Sequence, residues 1–313
     1  MSHHIIVGAG QVGTRLATLL TRQGHTVRLV SRSGNTVPGV EACSADAGDR
    51  DALLAATVGA DVIYNCVNPP YHLWVSDWPP MADNLIAAAE DSGAVLVTLS
   101  NVYGYGAVAA PMTEQTPLAA HTRKGRVRAA MWEQALTAHE SGRIRATEVR
   151  ASDYIGEAGD QTNFGSRVLP KMQAGKPILL MGRTDQPHSW TYTGDAAALL
   201  AIAAQDERAW GRPWHVPTNP PRTQAEVIAD LAQAMGVPAP RIRTAGAGML
   251  RTVGLFNRPA AELVEMLYEF DRPFILDSSL TEQTFGLKPT PWDEIIAETL
   301  RRNGVAVAEN AGA

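Results

Sequence analysis

The sequence predicts an α/β protein, a doubly wound parallel sheet carrying a smaller, mixed C-terminal region. Three observations predict it. An apolar run at 4–7 flows into a glycine-spaced turn and then into helical periodicity. Strand-like and helix-like stretches alternate as far as Arg150, the pattern of parallel strands joined by right-handed crossovers. Beyond Arg150 the rhythm breaks into Gly-, Pro- and Asn-punctuated segments with shorter periodic runs.

The first unit is the most informative. His4-Ile5-Ile6-Val7 reads as a strand, Gly8-Ala9-Gly10-Gln11-Val12-Gly13 as its turn, and Arg15, Leu16, Ala17, Leu19 and Leu20 continue a helical pattern. In this context Gly8 permits the tight turn, Gly10 lets the backbone approach a pyrophosphate, and Gly13 lets the helix pack close to the strand. The free N–H groups and positive dipole end of the helix then face an anion. Gly8, Gly10, Gln11, Val12 and Gly13 are therefore candidate dinucleotide contacts, against the bland reading of an ordinary Gly-rich turn. The next strand, at 26–30, ends in Ser31-Arg32-Ser33. An acidic residue here would hold the ribose hydroxyls of NAD(H). A guanidinium flanked by two hydroxyls suits a 2′-phosphate instead. The expected cofactor is NADP (NADPH).

The remaining elements follow in order. Residues 40–46 read as a short third strand and its exit, 49–58 as a helix, and 61–67 as a fourth strand. The aromatic stretch 69–80, with Tyr71, Trp74 and Trp78, reads as a loop able to close over an apolar substrate, or to pack on the smaller region. Helix 81–92, strand 94–99, helix 125–139 and strand 145–150 complete the alternation. A short helix at 166–174, a return to the sheet at 194–204 and 214–216, and helices at 224–235, 260–268 and 292–301 follow. The expected division is 1–155 with 188–217 as the dinucleotide-binding part, 156–187 with 218–304 as the substrate-binding part, and 305–313 as a frayed tail.

Composition sets the class. A chain of 313 residues, 45% apolar, can bury a large core. A net charge of −5 without a basic block predicts no nucleic-acid partner and no membrane surface. Cys43 and Cys66 fit no metal-ligand spacing and suit a reducing compartment. No apolar run is long enough to span a bilayer and no charged leader opens the chain, so a cytoplasmic protein with a small-molecule substrate and no metal is expected.

Several further segments resemble the extended short-chain dehydrogenase/reductase superfamily, in its NAD-dependent epimerase/dehydratase group. They are Asn84 to Ala89, Val97 to Gly104, Arg150 to Gly156 (with Glu157 where the family has proline), Trp190 to Asp195 and Phe285 to Pro291. The resemblance implies a Rossmann fold in which Asp46 contacts adenine and Asn65, Cys66 and Val67 lie beside the nicotinamide ribose. It also implies pairing of two subunits through exposed helices. The family's Tyr-x-x-x-Lys pair has no full counterpart, because no tyrosine lies between Tyr105 and Tyr154. Two registers are open, Thr122 with Arg126 and Ala120 with Lys124; the first is favoured because Lys124 to Val127 is similar to the family's Ser-Lys-Arg-Val run. Threonine cannot act as a phenol near neutral pH.

Ser100 and Asn101, at a strand's carboxyl end, are candidates to steady a developing oxyanion, against a plain turn cap. Tyr103 is the nearest phenol and the candidate proton donor, alongside water; Tyr154 and His188 are further alternatives. Of Arg123, Lys124, Arg126 and Arg128, one is expected to touch the ribose or a substrate anion, with Lys124 the candidate, and the rest to form a solvated face. Asp195 reads as a helix N-cap. Glu262, Glu265, Glu269 and Asp271 read as a solvated side. The leading expectation is an NADP(H)-dependent reductase of a carbonyl or activated double bond. A nucleotide-sugar epimerase or dehydratase is the enzyme alternative, and a non-catalytic NADP-binding sensor or scaffold the other.

Overall fold

The computed structural model describes residues 2–158 and 162–308. The chain opens with β1 (His3–Val7), α1 (Gln11–Arg22), β2 (Thr26–Ser31), β3 (Glu41–Ser44), α2 (Arg50–Thr57) and β4 (Val62–Asn65). There follow α3 (Trp74–Ser92), β5 (Val95–Asn101), α4 (Arg123–Glu140) and β6 (Arg145–Ala151). Next come β7 (Asp153–Ile155), α5 (Leu169–Gln173), β8 (Ile178–Met181), β9 (Trp190–Tyr192), α6 (Thr193–Gln205) and β10 (Pro213–His215). The chain then forms α7 (Gln224–Met235), β11 (Ile242–Ala245), α8 (Ala247–Gly254), α9 (Arg258–Leu263), α10 (Tyr268–Asp271), α11 (Ser279–Phe285) and α12 (Trp292–Arg302).

Seven strands form one parallel sheet in the order β10-β6-β5-β4-β1-β2-β3. The order reverses between β1 and β4, which is where open α/β sheets bind dinucleotides. Alternation along β1 explains the two layers: Ile5 and Val7 pack with α2, α3 and α4, while Ile6 packs with α1 and α6. A third core joins β8, α5, α7 and α12 in the smaller region, where β7 pairs with β9 and β8 with β11. Arg15 of α1 ties the two regions together. Its guanidinium meets the Glu157 carboxylate, Gly156 O at 3.0 Å, Tyr192 Oη at 3.1 Å and Glu298 Oε1 at 3.2 Å.

Four expectations are corrected. The aromatic stretch is mostly helix, since α3 runs from Trp74 through Pro79 and Pro80. Proline forfeits a helical hydrogen bond at a cost of about 3 kcal/mol, but Trp74 and Trp78, four residues apart on one face, are both buried. The expected helix at 260–268 is broken into α9, a single 3-10 turn at Val264–Met266, and α10. Asp195 caps nothing: it lies inside the first turn of α6 and accepts from Thr290 N at 2.9 Å and Thr290 Oγ1 at 2.6 Å. The first residues of the expected tail are packed, with Val305 buried and Ala308 N donating to Ala234 O at 2.8 Å; residues 309–313 lie outside the described residues.

Candidate active site

The glycine turn forms where β1 meets α1. Gly8 has φ of +114°, and a Cβ there would stand 2.4 Å from Cys66 O. A Cβ on Gly13 would stand 2.0 Å from Gly8 O, so helix and turn touch backbone to backbone. Gly10 differs, because a Cβ on it would meet nothing within 4 Å. It is also the N-cap of α1 and supplies no side-chain cap, so the first-turn N–H groups face that open space. Gln11 points elsewhere, donating to Ala158 O at 2.9 Å, and Val12 is buried in the core. A closed turn below, open space above and uncapped amides fit a dinucleotide pyrophosphate. When bound, such a group supplies a hydride donor or acceptor.

The end of β2 is solvent-facing. Ser31 Oγ accepts from Asn35 N at 3.0 Å and Ser33 Oγ donates to Asn35 Oδ1 at 2.5 Å, which shapes the turn. Arg32 is exposed, and its guanidinium has no partner among the described residues. Asp46, past β3, accepts from Gly48 N at 2.9 Å through one oxygen. Across the switch point, Asn65 Oδ1 accepts from Val67 N at 3.2 Å and Cys66 N donates to Val7 O at 2.8 Å. Burial pushes the Cys66 thiol up to about 12, so it is a packed, unreactive group. Val67 is half-buried.

β5 delivers the next group. Ser100 is 4% exposed and pairs in register with Arg150. Asn101 Oδ1 accepts from Tyr103 N at 3.1 Å, closing the turn and leaving only its NH₂ to donate. Tyr103 is buried and its phenol shares a 3.0 Å hydrogen bond with Tyr71 Oη. Burial, reinforced by the nearby Glu269 charge, holds both phenols well above the usual tyrosine range. Both are neutral donors rather than bases. Burial does the same to Tyr154, on β7.

Burial sorts the residues at the start of α4. Thr122 is the N-cap, its Oγ1 accepting from Gly125 N at 3.0 Å, and Arg126 is exposed and donates to His121 O at 2.7 Å. The inward positions are Lys124 and Arg128. Lys124 Nζ contacts the Glu262 carboxylate, Glu262 O at 3.2 Å and Glu265 Oε1 at 2.5 Å, and lies 5.2 Å from the Tyr71 ring centre. Those bonds engage it with the smaller region. Arg128 lies 4.6 Å from the Trp74 ring centre and 4.4 Å from that of Trp78, with Nε and Nη1 unpartnered among the described residues. Burial pulls its pKa down. The solvated reading holds for Arg123, Arg126 and Asp271, which are exposed, and fails for the others: Lys124, Arg128 and Glu269 are buried, and Glu262 and Glu265 close onto Lys124.

Sequence reasoning set Glu269 aside as solvated, gave Asp153 no role and used His188 only as an outside alternative. His188 Nε2 faces Asp153 Oδ2 at 2.9 Å, and its ring stacks on Phe270 at 5.0 Å. Asp153 lies inside the Arg150 to Gly156 segment, which was the available signal; Glu269 carried none, because its burial depends on where α10 lands. Among the described residues no group of three or more His, Cys, Asp or Glu side chains could hold a metal ion, and no helix is long and apolar enough to cross a membrane.

Comparison with known proteins agrees with this fold. A structure of dTDP-glucose 4,6-dehydratase from Bacillus anthracis str. Ames in complex with NAD is 15% identical, covers 96% of each chain and superposes with a TM-score of 0.78. The same enzyme of Streptomyces venezuelae, with NAD and TYD bound, is 16% identical over 96% of each chain, TM-score 0.77. The UDP-glucose 4-epimerase of Thermus thermophilus, complexed with NAD, is 19% identical over 97% of this chain and 100% of its own, TM-score 0.76. No curated protein sequence matches. These likenesses show the fold. The model of the NAD dependent epimerase/dehydratase family matches residues 4–216, more than half of the sequence, and the chain belongs to that family.

Proposed function

We propose that this protein is a nicotinamide-dinucleotide-dependent epimerase or dehydratase, moving hydride to and from a hydroxyl-bearing carbon of a nucleotide-linked sugar. The observation that carries the reading is the Gly10 turn: open space over uncapped α1 amides, beside the β1/β4 switch point. Ser100, the Asn101 amide and the Tyr71–Tyr103 phenols gather at the neighbouring strand end as neutral donors for a developing oxyanion. The family match and the nucleotide-sugar enzymes among the structural neighbours support the sugar substrate over a small free carbonyl compound.

One observation favours a second reading, NADPH-dependent reduction of a carbonyl or activated double bond. Arg32 is exposed and no carboxylate ends β2, an arrangement suited to a 2′-phosphate. Titration calorimetry with NADPH and NADH separately tests this part. If Arg32 reads the phosphate, Arg32→Asp weakens NADPH binding by about 2 kcal/mol, roughly thirtyfold, and spares NADH; equal losses would sink the assignment. UDP- and dTDP-hexoses are then incubated with cofactor-loaded protein and the products separated by anion exchange. A converted sugar without net cofactor consumption supports the first reading. Stoichiometric NADPH oxidation by simple carbonyls supports the second, and binding without any turnover leaves the sensor.

A further inference from the structure

Three polar side chains stand in one row across the middle of the sheet, on the face that α3 and α4 cover. Asn65 of β4 pairs in register with Thr98 of β5, and Thr98 with Glu148 of β6. Each follows by two residues a side chain packed in that core layer, Ile63, Leu96 and Ala146, so strand alternation puts all three on the same side. Asn65 is 1% and Glu148 2% exposed. A cavity of about 20 Å³ lies against the row, lined by these three side chains, by Ala82 of α3 and by Trp132 and Ala135 of α4. A buried water needs about 10–15 Å³ and two to four polar partners. Each member of the row has an atom to spare. Glu148 Oε2 accepts from Arg150 Nε at 2.6 Å, which leaves Oε1 without a hydrogen bond among the described residues. Asn65 Oδ1 accepts from Val67 N at 3.2 Å, so the amide NH₂ is the unused end there, and the Thr98 hydroxyl has no partner among the described residues either. An acceptor, a donor and a group that can do both thus line one water-sized space.

We propose that one ordered water occupies this cavity, bound to Glu148 Oε1, Asn65 Nδ2 and Thr98 Oγ1, and that through it Glu148 is a positioning residue for the cofactor turn. The positioning role rests on the dinucleotide reading above. The sense of each bond is forced. A carboxylate only accepts, so the water donates to Glu148. Val67 N holds Asn65 Oδ1, so the amide donates to the water. The remaining water hydrogen bond falls to the Thr98 hydroxyl. Arg150 balances the Glu148 charge, and the water has only to satisfy the second oxygen. Glu148 therefore orders the water, the water holds the Asn65 amide, and the amide holds Val67 N and with it the exit of β4. That exit is the floor of the glycine turn: Cys66 O would stand 2.4 Å from a Cβ on Gly8, and Cys66 Cβ 3.4 Å from one on Gly13. Without the water, Asn65 Nδ2 is a bare donor in a core, an unfavourable state. Turning the amide to relieve it releases Val67 N and loosens the floor. Glu148 itself acts through these intermediaries.

A crystal structure of the unliganded protein, at a resolution that shows ordered water, tests the site itself. It should show one water within hydrogen-bond distance of all three atoms; an empty cavity, or a water touching only one of them, overturns the proposal. Titration calorimetry with NADH and NADPH tests the positioning role. Ala135→Val adds branched bulk to the cavity while keeping the Glu148–Arg150 pair, and by displacing the water should weaken binding of the preferred cofactor about tenfold. Thr98→Val removes one partner at constant shape and should weaken it about threefold, whereas Thr98→Ser keeps the hydroxyl and should bind like wild type. In Glu148→Gln the amide oxygen must answer Arg150, so its NH₂ faces the cavity in place of an acceptor, and binding should weaken about threefold or more. Filling a dry, merely structural cavity would instead raise the melting temperature of Ala135→Val and leave its affinity alone. Unchanged affinity in Ala135→Val or in Glu148→Gln overturns the positioning role. Should Ala135→Val fail to fold, the contrast between Thr98→Val and Thr98→Ser decides it. If wild type binds neither cofactor, the dinucleotide reading fails on its own and takes the positioning role with it, while the unliganded crystal still decides the water.

Discussion

Gly10 and Gly13 stand three residues apart and should answer the same added methyl group in opposite ways. At Gly13 the new carbon would strike the Gly8 carbonyl, a backbone atom with nowhere to go, whereas at Gly10 it meets no protein atom within 4 Å. Gly13→Ala is expected to destabilise the fold by about 1–3 kcal/mol or more, seen as a lower melting temperature. Gly10→Ala should melt like wild type yet bind NADH and NADPH at least about tenfold more weakly, because its methyl group fills the space over the helix amides. Tighter or unchanged binding in Gly10→Ala would place the cofactor elsewhere. These residues were legible because a glycine's role is written in local backbone geometry. Glu269 and Asp153 were not, since an acidic residue reads as solvated until a distant segment buries it.

Periodicity announced α4 but not which of its faces turns inward. Arginine and lysine at four of its first six positions read as a solvated cluster, and the fold instead buries Lys124 and Arg128 and leaves Arg123 and Arg126 outside. The partners that make this tolerable lie more than a hundred residues away, at Glu262 and Glu265. Burial alone would raise Glu265, yet Lys124 and Arg123 together pull it below the usual carboxylate range. Lys124 therefore acts as a clamp between α4 and the segment 262–265. Removing one partner of a buried ion pair costs about 3–5 kcal/mol, the lower end being apt here because both glutamates keep some solvent contact. Lys124→Met should thus lower unfolding free energy by about 3 kcal/mol and speed amide exchange across 262–268, read by mass spectrometry. Unaltered exchange there would show that α9 and α10 are held by their apolar contacts instead. The same loss of foresight befell the aromatic stretch, read as a loop, where two buried tryptophans stand on one face of a helix that runs on through two prolines.

At the scale of the molecule, the doubly wound parallel sheet followed from the alternation of elements, but what locks the far edge of the sheet did not. That edge is held by a buried chain of side chains. Arg150 Nε donates to Glu148 Oε2 at 2.6 Å and Nη1 to Tyr105 Oη at 2.7 Å; Tyr105 Oη bonds His215 Nε2 at 2.7 Å, and His215 Nδ1 bonds Asp277 O at 2.8 Å. A carbonyl oxygen only accepts, so Nδ1 carries the hydrogen and Nε2 receives the tyrosine proton. This neutral imidazole cannot gain a proton without breaking the chain. Burial accordingly lowers His215 from 6.5 to about 4, and lowers His4, on β1, to about 4 as well. Between those values the unfolded chain binds protons that the folded chain refuses, so stability is complete above pH 6.5 and falls as the pH drops toward 4. Each histidine contributes a slope of about 1.4 kcal/mol per pH unit and a total of about 3 kcal/mol. Urea unfolding between pH 6.5 and pH 5 should show a slope about 1.4 kcal/mol per pH unit smaller in His215→Gln than in wild type, and smaller by the same amount again when His4→Gln is added. The comparison uses slopes because His215→Gln also loses hydrogen bonds, which shifts stability equally at every pH. Equal slopes in wild type, His215→Gln and the double variant would mean that the two imidazoles take up protons inside the fold, and that the Tyr105–His215–Asp277 chain opens without penalty.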